Sequence, residues 1–144
     1  ETGAPICTHT TLGTRGLEQL EIFKSFGVDL SRVVLSHIDL SADLDYMKRL
    51  LDQGVNIAFD TIGKCNYQPD VSRADWLSRL CAEGYDTQIV MSMDPPQQFA
   101  DRGGVGYSYL LDTFAPLASE AGVPDRAWEN LLYRNALRIY KGQK

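Results

Sequence analysis

The run Pro5-Ile6-Cys7-Thr8-His9-Thr10 decides how the rest of the chain is read. It is short, carries β-branched residues and reads as a strand, and it ends beside one of the only two histidines in the sequence. The other, His37, closes a second run of the same kind, Val33-Val34-Leu35-Ser36-His37. Two later apolar runs, 55–60 (VNIAFD) and 89–94 (IVMSMD), each stop at an aspartate, Asp60 and Asp94. Four strand-like segments thus end in His, His, Asp and Asp, spaced 28, 23 and 34 residues apart.

Between these runs the apolar period changes from two to between three and four. A helix over 16–26 presents Leu17, Leu20 and Phe23 on one face, with Ile22 and Phe26 beside them, and stops at Gly27. A second helix, 44–53, is capped by Ser41 or Asp43, carries Leu44, Met47, Leu50 and Leu51, and stops at Gly54. A third, capped by Asp70 or Ser72, carries Val71, Trp76, Leu77, Leu80 and Cys81 inward and closes at Gly84. Pro95-Pro96 forbids a helix directly after the fourth strand. Further helices are predicted at 107–121, with Tyr109, Leu110, Phe114 and Leu117 inward, and from Pro124 or Asp125 to about 140, packing Trp128, Leu131, Leu132, Leu137 and Ile139.

Strand and helix alternating four times imply βαβ units and a parallel sheet in an α/β fold. Two architectures remain open, a doubly wound sheet and a (β/α)8 barrel. No GxGxxG follows the first strand, which argues against a dinucleotide-binding fold, and polar residues at every strand's C-terminal end suit a barrel, whose chemistry sits on that face. A complete barrel needs eight strands and about 250 residues, and this chain has 144. It also begins at Glu1 and runs almost at once into a strand, as the interior of a longer protein would.

Composition narrows the function. With 44% hydrophobic and 23% charged residues the chain has the makings of one globular core. A net charge of −5 with scattered Lys and Arg gives no basic face for nucleic acid. No stretch approaches the roughly 18 to 20 apolar residues of a membrane span. The three cysteines, Cys7, Cys65 and Cys81, lack CxxC spacing and an even count, so neither a disulfide framework nor a cysteine zinc site is expected, and a cytoplasmic location fits.

Imidazole and carboxylate are the ligands of hydrolytic zinc sites, and a parallel barrel gathers distant strand ends. His9, His37 and Asp94 are therefore candidate metal ligands of one site. The bland alternative is that each merely bonds nearby backbone. Lys64, Asn66 and Tyr67 follow the third strand and either line a pocket or form a solvated loop. Gly103-Gly104-Val105-Gly106-Tyr107 is a candidate ligand-holding segment, a lid or a simple loop, while Tyr107, Tyr109, Trp76 and Trp128 also read as core.

Seven stretches carry a resemblance that runs through nearly the whole chain: Gly3 to Thr10 (GAPICTHT), Gly16 to Leu20 (GLEQL), Gly27 to Val33 (GVDLSRV), Ser36 to Leu40 (SHIDL), Phe59 to Lys64 (FDTIGK), Met91 to Asp94 (MSMD) and Gly103 to Leu111 (GGVGYSYLL). Together they resemble the phosphotriesterase-like branch of the amidohydrolase superfamily, in particular its bacterial phosphotriesterase homology group. The resemblance implies half of a TIM (β/α)8 barrel, strands five to eight plus a C-terminal helix, filling 1–144. It implies a metal-dependent hydrolase acting on small ester, lactone or phosphoester substrates through a metal-activated hydroxide. It assigns His9 and His37 to the more exposed of two divalent metals, zinc foremost, and Asp94 to the buried one. Asp94 then also serves as the catalytic group that takes the proton of the attacking hydroxide. Lys64, Tyr67 and Tyr107 are the candidate substrate contacts.

The first-strand His-x-His pair and the fourth-strand bridging carboxylate of that family have no counterpart here, and Thr61 stands where several lactonase relatives carry arginine. The site then needs a partner, either the missing N-terminal half-barrel or a second copy. The competing expectation is a non-catalytic half-barrel that self-associates.

Overall fold

The computed structural model describes residues 3–94 and 106–141. Four strands, β1 (Ile6–Thr8), β2 (Val33–Leu35), β3 (Asn56–Phe59) and β4 (Ile89–Met91), form one sheet in sequence order. All pairs are parallel, with Cys7 opposite Val34, Leu35 opposite Ile57, and Ala58 opposite Val90. The strands are shorter than the apolar runs that encode them, because each run's polar end leaves the ladder to enter a loop.

Helices α1 (Gly16–Ser25), α2 (Leu44–Leu51) and α3 (Asp70–Ala82) follow the first three strands. Side chains alternate across a strand, so Val33, Leu35, Ile57, Phe59 and Ile89 share one face. They pack with Leu20, Met47, Leu50, Leu77 and Leu80 of the helices in the main core. Asp43 caps α2, its Oδ1 accepting from Tyr46 N–H at 2.9 Å. At α3, by contrast, the cap position is Pro69, and Asp70 is already helical, its carboxylate turned to Arg73 and to the Gly63 N–H.

Four inward assignments are corrected. Val71 is exposed, since the buried stripe of α3 is Asp70, Arg73, Ala74, Leu77, Leu80 and Cys81. Ile22 and Phe26 are exposed, Phe26 at 81%. Leu132 is exposed because a π-helical turn, Asn130–Arg134, lies between α5 (Asp125–Glu129) and α6 (Asn135–Lys141). Its wider turn shifts the inward stripe, leaving Leu131, Asn135 and Ile139 buried. A similar turn, Leu110–Phe114, precedes α4 (Ala115–Glu120), where Pro116 has no N–H to close a regular α turn.

The opposite face of the sheet carries the smaller Val34, Ala58 and Val90, and Ile139 of α6 packs onto them. Below that contact, Arg138 Nη2 donates to Asn56 Oδ1 at 2.7 Å and to Thr87 O at 2.9 Å. Asn135 Nδ2 donates to the carbonyls of Asp86 and Ile89, both at 2.7 Å. Helix α6 thereby ties together the N-terminal ends of β3 and β4. All three cysteines are free. Among the described residues no helix is long and apolar enough to cross a membrane.

Candidate functional site

At the C-terminal end of the sheet the strand-end residues surround an open cavity of about 230 Å³, lined by His9, Thr10, His37, Thr61, Lys64, Tyr67 and Asp94 among others. His9 lies one residue past β1, and its carbonyl accepts from Gln19 Nε2 at 3.1 Å. The β1–β2 pairing continues as Ser36 N–H to Thr8 O at 2.9 Å, and Thr10 Oγ1 donates to Ser36 O at 2.7 Å. These bonds set the two histidine segments side by side, with ring centroids 4.9 Å apart and planes at 77°.

His37 is held in the left-handed region, φ 64°, which is costly for a residue with a β-carbon. Asp60 supports it. One oxygen, Oδ1, accepts the His37 backbone N–H at 2.8 Å and lies 2.9 Å from the ring Nδ1. An ionised carboxylate can only accept, so opposite it the Nδ1 proton lies on the histidine, which leaves Nε2 with its lone pair in the neutral ring. A carboxylate behind a ligating imidazole is the usual way such a tautomer is fixed. Burial, and after it the charge of Asp39, push the Asp60 carboxyl above the ordinary range, while His37 pulls the other way.

Asp94, also at positive φ (39°), places Oδ2 2.5 Å from Lys64 Nζ. Its side chain is 55% exposed and that of Lys64 17%. The sequence placed His9, His37 and Asp94 in one ligand set; the structure brings all three to one cavity, but with different partners. Among the described residues no group of three His, Cys, Asp or Glu side chains is close enough to hold a metal ion. Lys64 and Tyr67 line the cavity. Tyr107 does not, and at 77% exposure it is not core either. Residues 103–105 and the loop 95–102 lie outside the described residues.

Sequence reasoning singled out Asp60 only as a strand end and passed over Asp39 and Arg73. The available signals were Asp39 two residues beyond His37, and the Asp70/Arg73 pair at helical i,i+3 spacing.

Comparison with known proteins gives this geometry its context. A profile of the phosphotriesterase family matches residues 1–140. A phosphotriesterase homology protein of Escherichia coli (strain K12) is 39% identical over 143 residues, covering 98% of this chain and 49% of the relative. A phospho-furanose lactonase of Mycoplasmopsis synoviae (strain 53) is 30% identical over 147 residues, covering 96% and 42%. The crystal structure of the Escherichia coli phosphotriesterase homology protein, complexed with phosphate in its active site, superimposes with a TM-score of 0.91 at 40% identity, covering 96% of this chain and 48% of that one. The chain spans about half the length of the curated relatives it matches, and its four-stranded parallel sheet is consistent with half of their TIM barrel. Matched over nearly all its residues by sequence and by structure, the chain belongs to the phosphotriesterase family.

Proposed function

We propose that residues 1–144 supply strands five to eight of a metal-dependent (β/α)8 hydrolase acting on ester, lactone or phosphoester bonds. The observation that carries this is the edge-on pair His9 and His37 at the sheet's C-terminal end, with Asp60 Oδ1 2.9 Å behind the His37 Nδ1. The phosphotriesterase and lactonase names of the relatives support the same chemistry.

Two imidazoles, one of them anchored from behind, suit a divalent metal such as zinc. When bound, such a metal supplies a Lewis acid and a hydroxide at neutral pH. His9 and His37 would hold it. Asp94, released from Lys64, accepts a proton at Oδ2. Lys64 offers its ammonium to a polarised substrate oxygen, and Tyr67 closes the cavity wall beside it. Two nitrogen ligands fall short of a complete coordination shell, so the remaining ligands come from a partner, the complementary half-barrel or a second copy. Strands β1 and β4 each have one unpaired edge among the described residues, where a partner's strands would continue the sheet.

Equilibrium dialysis against zinc, comparing the chain combined with an N-terminal half-barrel and the same combination carrying His37→Ala, tests the metal reading. The variant is expected to lose about 100-fold in affinity. Equal zinc content in the two proteins refutes it. The hydrolase reading is tested by combining the chain with an N-terminal half-barrel and zinc or manganese, then assaying an aryl ester, a lactone and a phosphotriester. Folded, metal-loaded barrel that cleaves none of the three refutes that reading.

A further inference from the structure

Behind the cavity wall lies a charged cluster that the metal-site reading leaves unused. Arg73 is 0% exposed, and a buried guanidinium persists only where its donors are met. Its Nε donates to Asp39 Oδ2 at 2.8 Å, Nη1 to Asp70 Oδ1 at 2.8 Å, and Nη2 to Thr61 Oγ1 at 2.9 Å. The carbonyls of Gln68 and Lys64 accept from the same fork. Thr61 also donates to Asp39, and the other oxygen of Asp70 accepts from the Tyr109 hydroxyl at 3.0 Å.

These partners border the cavity. Asp39 stands two residues beyond His37 on the same turn, Ile38–Ser41. Thr61 and Lys64 line the cavity, and Gln68 follows Tyr67, which lines it too. Through Lys64 the cluster also reaches Asp94. One rigid, planar fork therefore joins the His37 turn, the 61–69 loop and α3, and lysine cannot reproduce its geometry.

We propose that Arg73 is a positioning residue that sets the 61–69 loop, and with it Lys64 and Tyr67, against the His37 turn. It acts through Thr61, Asp39 and the Lys64 carbonyl and touches no reacting atom. Its role in catalysis rests on the reading of this cavity as the hydrolytic site, whereas its hold on the loop is measurable without any activity. A group needed only for the core would, when lost, loosen the whole domain. A positioning group loosens the loop first.

Native-state cleavage by a lysine-specific protease separates the two, because Lys64 reports on the loop and Lys48, on α2, on the body of the domain. In Arg73→Gln, cleavage after Lys64 relative to Lys48 rises about tenfold. Thr61→Val, which keeps the side-chain shape and removes the bonds to Arg73 and Asp39, raises the ratio less and in the same direction. An unchanged ratio in both variants, whether both sites accelerate together or neither does, overturns the proposal. If Arg73→Gln fails to fold, the ratio in Thr61→Val decides alone. In a completed, active barrel Arg73→Gln lowers kcat/KM about tenfold, because Lys64 no longer meets the polarised substrate oxygen; an unchanged kcat/KM overturns the positioning role. A wild-type barrel without activity defeats the hydrolase reading, and the cleavage ratio still decides whether Arg73 holds the loop.

Discussion

The two ends of the sheet solve the same problem, turning the chain between strand and helix, with different residues. At the N-terminal end the three turns that return from helices to strands use Gly27, Gly54 and Gly84, all at positive φ. Glycine adopts that conformation without steric cost. At the C-terminal end Gly13 and Gly63 do the same, but Leu12, Arg15, His37, Ala42 and Asp94 also hold positive φ despite their β-carbons, and among the described residues these five are the only non-glycine ones that do. The lower end is also sealed by α6, through Ile139, Asn135 and Arg138, whereas the upper end opens into the cavity. Strain and open space coincide at the end that gathers the histidines, as in sites where local stability is given up for a fixed arrangement of reactive groups. The contrast matches the division of a parallel barrel into a stabilising face and a chemical face.

The sharpest way to break this contrast is to attack the seal. Ile139→Ala should lower unfolding free energy by about 2–5 kcal/mol in a denaturant titration, while leaving zinc affinity unchanged. A parallel loss of zinc affinity would show that the two ends are not separable. Asp60→Asn works from the other end, weakening the support of the His37 tautomer. Its expected cost is about tenfold in zinc affinity by dialysis, with little change in unfolding midpoint. The smallest effect belongs to strain itself. Ala42→Gly relieves a left-handed alanine at φ 53° and should stabilise the domain by about 0.5–1 kcal/mol, net of glycine's greater chain entropy. A destabilised Ala42→Gly would mean that the conformation there carries no strain.

Much of the architecture was legible along the chain. The four apolar runs, the glycines that stop α1, α2 and α3, and the polar residue at each strand end were all readable from local pattern, and the parallel sheet followed from their alternation. The misread positions have separate causes. Leu132 was placed inward on a regular 3.6-residue period, which the π-helical turn at Asn130–Arg134 interrupts. Asp70 looked like a cap because helix caps are chosen from the same small polar residues that also pair with arginine. Tyr107 lies in a turn just ahead of the helix that was predicted to bury it.

The sequence by itself determined the order of strands and helices, the chemistry available at each strand end, and the resemblance to the phosphotriesterase-like hydrolases. Periodicity, capping and turn residues act within a few positions, so they can be read one segment at a time. The tertiary structure alone decided which groups meet: His37 with Asp60, Lys64 with Asp94, and Arg73 with Asp39, pairs separated by 23, 30 and 34 residues. Those meetings depend on the register of parallel strands and on where each loop settles over the sheet's end, and no local pattern encodes either.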